Sequence, residues 1–119
     1  AMNILKGECQ SNQIRLSSGA ILKANSKHKG EVNVGLRPED FTIDEKGPIK
    51  LKVELVELIG ANTLIHGRLE ISNEILVVSI AGVINENKIG SSINFSFDEN
   101  KLHLFDISSN QRINWVNLC

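Results

Sequence analysis

At 119 residues and 13.1 kDa, with 41% hydrophobic and 23% charged residues, the chain has the size and make-up of one folded domain, which excludes disorder. A net charge of −1, a 4% aromatic content and the absence of tyrosine remove the basic surface and the stacking platforms on which nucleic-acid binders rely. No stretch reaches the roughly 18–20 consecutive apolar residues of a membrane-spanning helix. The opening "AMNILKGECQ" lacks the apolar run of a secretory leader, so the expected compartment is the cytosol, where Cys9 and Cys119 stay reduced.

In chain order, "NILKGECQ", "QIRLSS", "AILKAN" and "EVNVGLR" read as short strands, with Gly19 and the "NSKHKG" loop between them. The wetness of this first third, up to Lys29, points to a less regular outer layer. At "VGLRPED" the last strand stops. Pro38 biases Arg37 towards an extended backbone and can itself open a helical turn, with Glu39 and Asp40 near its positive end. After "EKGP", the segment "IKLKVELVELIG" fits both a helical spacing and a strand whose alternation slips. A strand with a bulge near Leu55 and Val56 accounts for the slip. "TLIHGRLE" and "EILVVSIAG" follow, joined by a hairpin at "ISNE", and the β-branched run of the second predicts a central strand. Beyond the "INENKIG" connector, Ile93, Phe95 and Phe97 alternate with polar residues in the cleanest strand of the chain, and "KLHLFD" before "SSNQ" reads as the last. Many short strands at roughly ten-residue spacing define an all-β fold, a barrel or a sandwich.

Catalytic patterns are missing. There is no phosphate loop, no GxGxxG, no HExxH and no GxSxG. His28, His66 and His103 stand far apart, without a second ligand at metal-binding spacing, so exposure or a structural hydrogen bond is expected of each. Glu54 with Glu57, or Asp98 with Glu99, lacks the apolar pocket that would split their pKa values for acid–base work.

Four stretches in order, "AMNIL", "VGLRPEDF", "VELVELIGANTLIHGRL" and "KLHLFDISSNQRI", resemble the carboxy-terminal regulatory domain of ATP-binding subunits of ABC importers. The similarity is to the maltose, multiple-sugar and glycerol-3-phosphate branch. It implies an OB-fold-like barrel of the TOBE/MOP-like kind with additional strands, formed by residues 1–119 as one regulatory domain that lacks the preceding ATPase domain. Met2 is then internal to a longer chain. No cofactor is expected here, since ATP and magnesium would bind the missing domain. The resemblance further implies a homodimer that pairs two ATPase subunits, contact with membrane permease subunits through the full-length protein, a cytoplasmic regulator as a further partner, and a peripheral place at the inner face of the cell membrane. The transported solute would be a sugar or sn-glycerol-3-phosphate. Arg37, Pro38, Glu39, Gly60 and Thr63 are the implied interface determinants, against a purely structural reading in which Gly60 supplies a special backbone angle and Pro38 a fixed turn. Asn62 replaces an acidic residue frequent in the family. Related barrels in molybdate systems bind an oxyanion between paired domains. "SSGAILKANSKHK" has the residue types for that alternative, small-ligand sensing, without a diagnostic spacing.

Overall fold

A computed structural model describes residues 2–24, 28–84 and 88–113. The chain forms β1 (Asn3–Gln10), β2 (Gln13–Leu16), β3 (Ile21–Lys23), β4 (Gly30–Leu36), β5 (Phe41–Ile43), β6 (Ile49–Ile59), β7 (Asn62–Leu69), β8 (Ile75–Ala81), β9 (Ser92–Phe97) and β10 (His103–Asp106). They make two five-stranded antiparallel sheets, ordered β10-β4-β1-β2-β3 and β5-β9-β6-β7-β8. The helical elements include short 3-10 turns at Pro38–Asp40 and Glu99–Lys101.

The all-β expectation therefore holds, because alternation with a period of two gives each strand one buried face. In β2, Ile14 and Leu16 are buried between exposed Gln13 and Arg15. One core joins the sheets. Leu5, Ile14, Val34 and Leu36 from the first sheet and Leu51, Ile65, Leu76 and Phe95 from the second are all fully enclosed. Phe41 adds edge-to-face contacts with Phe95 at 6.1 Å and with Phe97 at 6.2 Å between ring centroids.

Two sequence expectations change, and one strand is added. The first third is not a less regular layer: β1, β2 and β3 form a regular meander, and its outward face supplies the polar residues that made the stretch read as wet. Its first turn, Ser11-Asn12, has φ of 53° and 61°, as the two-residue hairpin turn with both central residues left-handed requires. Nor is the "EILVVSIAG" strand central. As β8 it lies at a sheet edge, and its apolar residues are buried by what packs across the edge rather than by a strand on each side. The added strand is β5, "FTI", which the sequence reading did not name because three residues are too few to show a period.

The edge of β8 is closed by side chains. Val77 N donates to Asn3 Oδ1 (2.9 Å), and Asn3 Nδ2 donates to Val77 O (2.8 Å) and to Leu36 O (3.1 Å). Lys6 N donates to Glu74 Oε2 at 2.8 Å. One asparagine thus offers β8 the donor and acceptor that a neighbouring strand would, which stitches the two sheets together.

The bulge in β6 falls at Glu54, one residue before the expected position, because Val53 pairs with Gly67 and Leu55 with His66. Before the bulge β6 also pairs with β9; past Val53 the described residues pair it only with β7. Past the bulge β6 is therefore a sheet edge, with Leu55, Leu58 and Ile59 about half exposed, while β8 still pairs with β7 as far as Asn62.

Candidate domain interface

The Arg37–Asp40 corner is the joint between the sheets. Leu36, fully buried, ends β4 in the first sheet, and Phe41, also buried, begins β5 in the second. Arg37 is extended at φ −77° and ψ 142°, as a residue before proline must be. Pro38 then opens the 3-10 turn, and Asp40 N donates to Arg37 O at 3.0 Å. The turn packs on β8. Arg37 and Glu39 remain exposed, so the corner is both a structural joint and a charged projection.

Chain pairing brings further charged groups here. Lys101 Nζ lies 3.8 Å from Asp40 Oδ1. His103, opposite Gly35 in the β4–β10 pairing, meets a terminal nitrogen of Arg112 through Nδ1. Arg112 itself lies over the Phe105 ring, 5.8 Å from its centroid, next to the bridge that Phe105 and Arg112 make. Burial, with the Arg112 and then the Arg37 guanidinium, holds the His103 pKa below its ordinary value against the opposing pull of Asp40. Arg112 did not stand out in the sequence, and His103 did so only as a candidate for a structural hydrogen bond or an exposed ring. Nothing local links them to Arg37, and only the β4–β10 pairing does.

The remaining candidates lie on another element pair. Gly60, with φ +61°, is exposed at the tip of the β6–β7 hairpin, and an added Cβ would meet open space. Its backbone angle is what calls for glycine, as the structural reading has it. Thr63 is fully buried. Its Oγ1 donates to Gly82 O (2.6 Å) and accepts from Ile84 N (3.2 Å), so this side chain anchors the segment after β8 and can bear on a surface only through it.

The histidines take cross-strand or loop contacts. His66 Nε2 lies 2.6 Å from Glu57 Oε1, in a close pair across β6 and β7 that lacks the alignment of a hydrogen bond. His28 Nε2 lies 3.8 Å from Asp106 Oδ1. Asp106 accepts from the hydroxyls of Ser108 and Ser109, both at 2.9 Å, and these bonds lower its pKa. Cys9 is buried, which raises its thiol pKa; Cys119 lies outside the described residues. Among the described residues no group of three or more His, Cys, Asp or Glu side chains could hold a metal, and no helix is long and apolar enough to cross a membrane. The stretch weighed for oxyanion sensing runs from the end of β2 through β3 towards β4, and residues 25–27 within it lie outside the described residues.

Two antiparallel sheets around one core, joined at a proline corner, define an all-β domain of OB-like architecture. The same architecture is seen in the molybdate-bound structure of the cytoplasmic molybdate-binding protein ModG, with a TM-score of 0.67 over 86% of this chain and 94% of that one, at 14% identity. The TOBE domain family model matches residues 34–105, more than half of the chain, and the chain belongs to that family. Curated relatives include the sn-glycerol-3-phosphate import ATP-binding protein UgpC of Ruegeria pomeroyi, 38% identical over 113 residues, and of Ruegeria sp. (strain TM1040), 34% identical. UgpC of Shigella sonnei is 31% identical over 121 aligned positions. Each match takes in 95% of this chain, which spans about a third of the length of these relatives.

Proposed function

We propose that this chain is the carboxy-terminal regulatory domain of the ATP-binding subunit of an ABC importer for sn-glycerol-3-phosphate, and that it acts without catalysis by keeping two such subunits paired. The observation that carries the reading is the 38% identity over 113 residues to a protein named for that import. ATP and magnesium belong to the ATPase domain of the longer subunit, and residues 1–119 act as one regulatory unit beside it. Through that domain the subunit meets the permease at the inner face of the membrane, and a cytoplasmic regulator has the exposed side chains of the corner available to it. A contact that persists while ATPase domains separate raises their effective concentration and limits their search. Two features support such contacts: the charged projection at Arg37 and Glu39, and the apolar tip formed by Leu55, Leu58 and Ile59.

The test is complementation. Cells lacking their own ATP-binding subunit are supplied with the full-length subunit carrying this domain, and uptake of labelled sn-glycerol-3-phosphate and of maltose is measured. Restored uptake of the first alone is expected. Restored uptake of maltose alone would refute the assignment of solute. Light scattering of the 119-residue chain over a concentration series addresses pairing, and a shift of mass towards the dimer is expected.

A further inference from the structure

Most strand edges of this fold are occupied or short. β8 is closed by Asn3 and covered by the 3-10 turn, β10 is lined by the returning chain through Asp106 N to Gln111 O and Ile113 N to Leu104 O, both 2.8 Å, and β3 and β5 have three residues each. The exception is β6 past its bulge. Up to Val53 its outer side is taken, since Val53 N donates to Ser91 O (2.9 Å) and Val53 O accepts from Gly90 N (2.8 Å). Beyond it, the described residues pair β6 with β7 alone. The hairpin closes at Ile59 and Asn62 around Gly60 and Ala61, so the N–H and C=O of Ile59, Glu57 and Leu55 turn towards β7 and those of Val56 and Leu58 turn outward. From Val53 to Asn62 there is no lysine and no proline to guard this edge, and Leu55, Leu58 and Ile59 flank it about half exposed.

The charges on the edge decide what can occupy it. Its ionisable side chains are two acids: Glu54, 3.3 Å from Arg68 Nε, and Glu57, 2.6 Å from His66 Nε2, each tied to β7 through one oxygen. A second copy pairing antiparallel along the same edge would bring two Glu54 and two Glu57 carboxylates into one seam, where like charges oppose one another. A strand carrying a cation opposite Glu57 has no such cost. We infer that the edge from Glu54 to Ile59 receives, by strand addition, an extended segment of a partner protein, apolar on both faces with one lysine or arginine set against Glu57. The outward backbone groups of Val56 and Leu58 supply the ladder. Leu55 and Ile59 meet apolar residues two places to either side of the cation, and Glu57 fixes the register. This edge lies away from the corner and uses backbone groups that side-chain contacts between copies leave free, so the inference goes beyond the pairing proposed above.

The experiment measures amide hydrogen exchange by NMR on the isotopically labelled 119-residue chain, with the synthetic peptide acetyl-Gly-Val-Leu-Lys-Leu-Val-Gly-amide and with a control in which glutamate replaces the lysine. Saturable protection of the Val56 and Leu58 amides by the lysine peptide is expected, with those of Leu55, Glu57 and Ile59 unchanged, because only the first two point outward. Glu57→Lys should exchange the preference, weakening the lysine peptide by about fivefold and admitting the glutamate peptide. Leu58→Pro removes one outward N–H at an edge position, where proline is tolerated, and should abolish binding while the β6–β7 amides keep their protection. If that variant loses the β7 pairing, the charge exchange decides alone. Equal protection by both peptides, protection by neither, or binding that survives Leu58→Pro in a folded chain overturns the proposal. So does protection of Val56 and Leu58 that arises without peptide and grows with protein concentration, which assigns the edge to a second copy.

Discussion

Asn3 shows how one side chain can replace a strand. Its amide makes three hydrogen bonds, to Leu36 and to both backbone groups of Val77, across the seam between the sheets. Asn3→Ala leaves those groups without their partner and should lower unfolding free energy by about 2–4 kcal/mol, read from the midpoint of urea unfolding at unchanged slope. His103 makes a pH prediction. Its pKa in the folded chain lies below the ordinary 6.5, so the unfolded chain binds more protons between those two values. Its contribution to stability is therefore present above pH 6.5 and is lost as pH falls towards the folded-state value. Arg112→Ala removes the larger of the two guanidinium effects and should raise the His103 pKa, measured by NMR titration. The Arg-Pro-Glu-Asp corner was legible in the sequence as a strand stop with a helical turn, because proline acts on its immediate neighbours. The contact of His103 with Arg112 was not, since the bridge between Phe105 and Arg112 and the pairing of β10 with β4 bring it about.

At the scale of elements, β6 carries the most information. Its slip in alternation was readable as a bulge, because each face must keep its polarity and one extra residue is the only way to restore the phase. The bulge constrains the partner strand as well. Gly67 faces it, and a Cβ there would run into the carbonyl of Lys52 and the Leu51 side chain. Gly67→Ala should destabilise the fold by about 1–3 kcal/mol, as overpacking against backbone that cannot yield, and differential scanning calorimetry would show the fall. By contrast, β8 was misplaced at the centre of a sheet. Its apolar run correctly signalled burial, but burial arises equally from neighbouring strands, from the 3-10 turn packed on it and from an asparagine that closes its edge. Composition cannot distinguish these.

For the whole molecule the consequence is a rigid two-sheet body with two exposed features, the charged corner and the apolar hairpin tip. If the tip forms part of a contact between copies, Leu58→Glu together with Ile59→Glu should reduce the dimer seen by light scattering while leaving the melting temperature within a few degrees, since both side chains are more than half exposed. Replacing Arg37 and Glu39 by Ala should likewise weaken pairing or regulation in the full-length subunit more than it lowers the melting temperature. A collapse of the fold on either change would assign that feature to structure alone.

The sequence by itself determined the all-β class, nearly every strand, the bulge, the proline corner and the resemblance that the family match bears out. These are set within a few residues of one another, by side-chain alternation and by the backbone limits of proline. Tertiary structure alone decided that the corner joins two sheets, that Thr63 faces inward, that Asn3 closes the edge of β8, and that His103 meets Arg112 beside β4. Each of these depends on antiparallel pairing or packing between segments far apart in the chain, and no local pattern encodes which distant strand a given edge will meet.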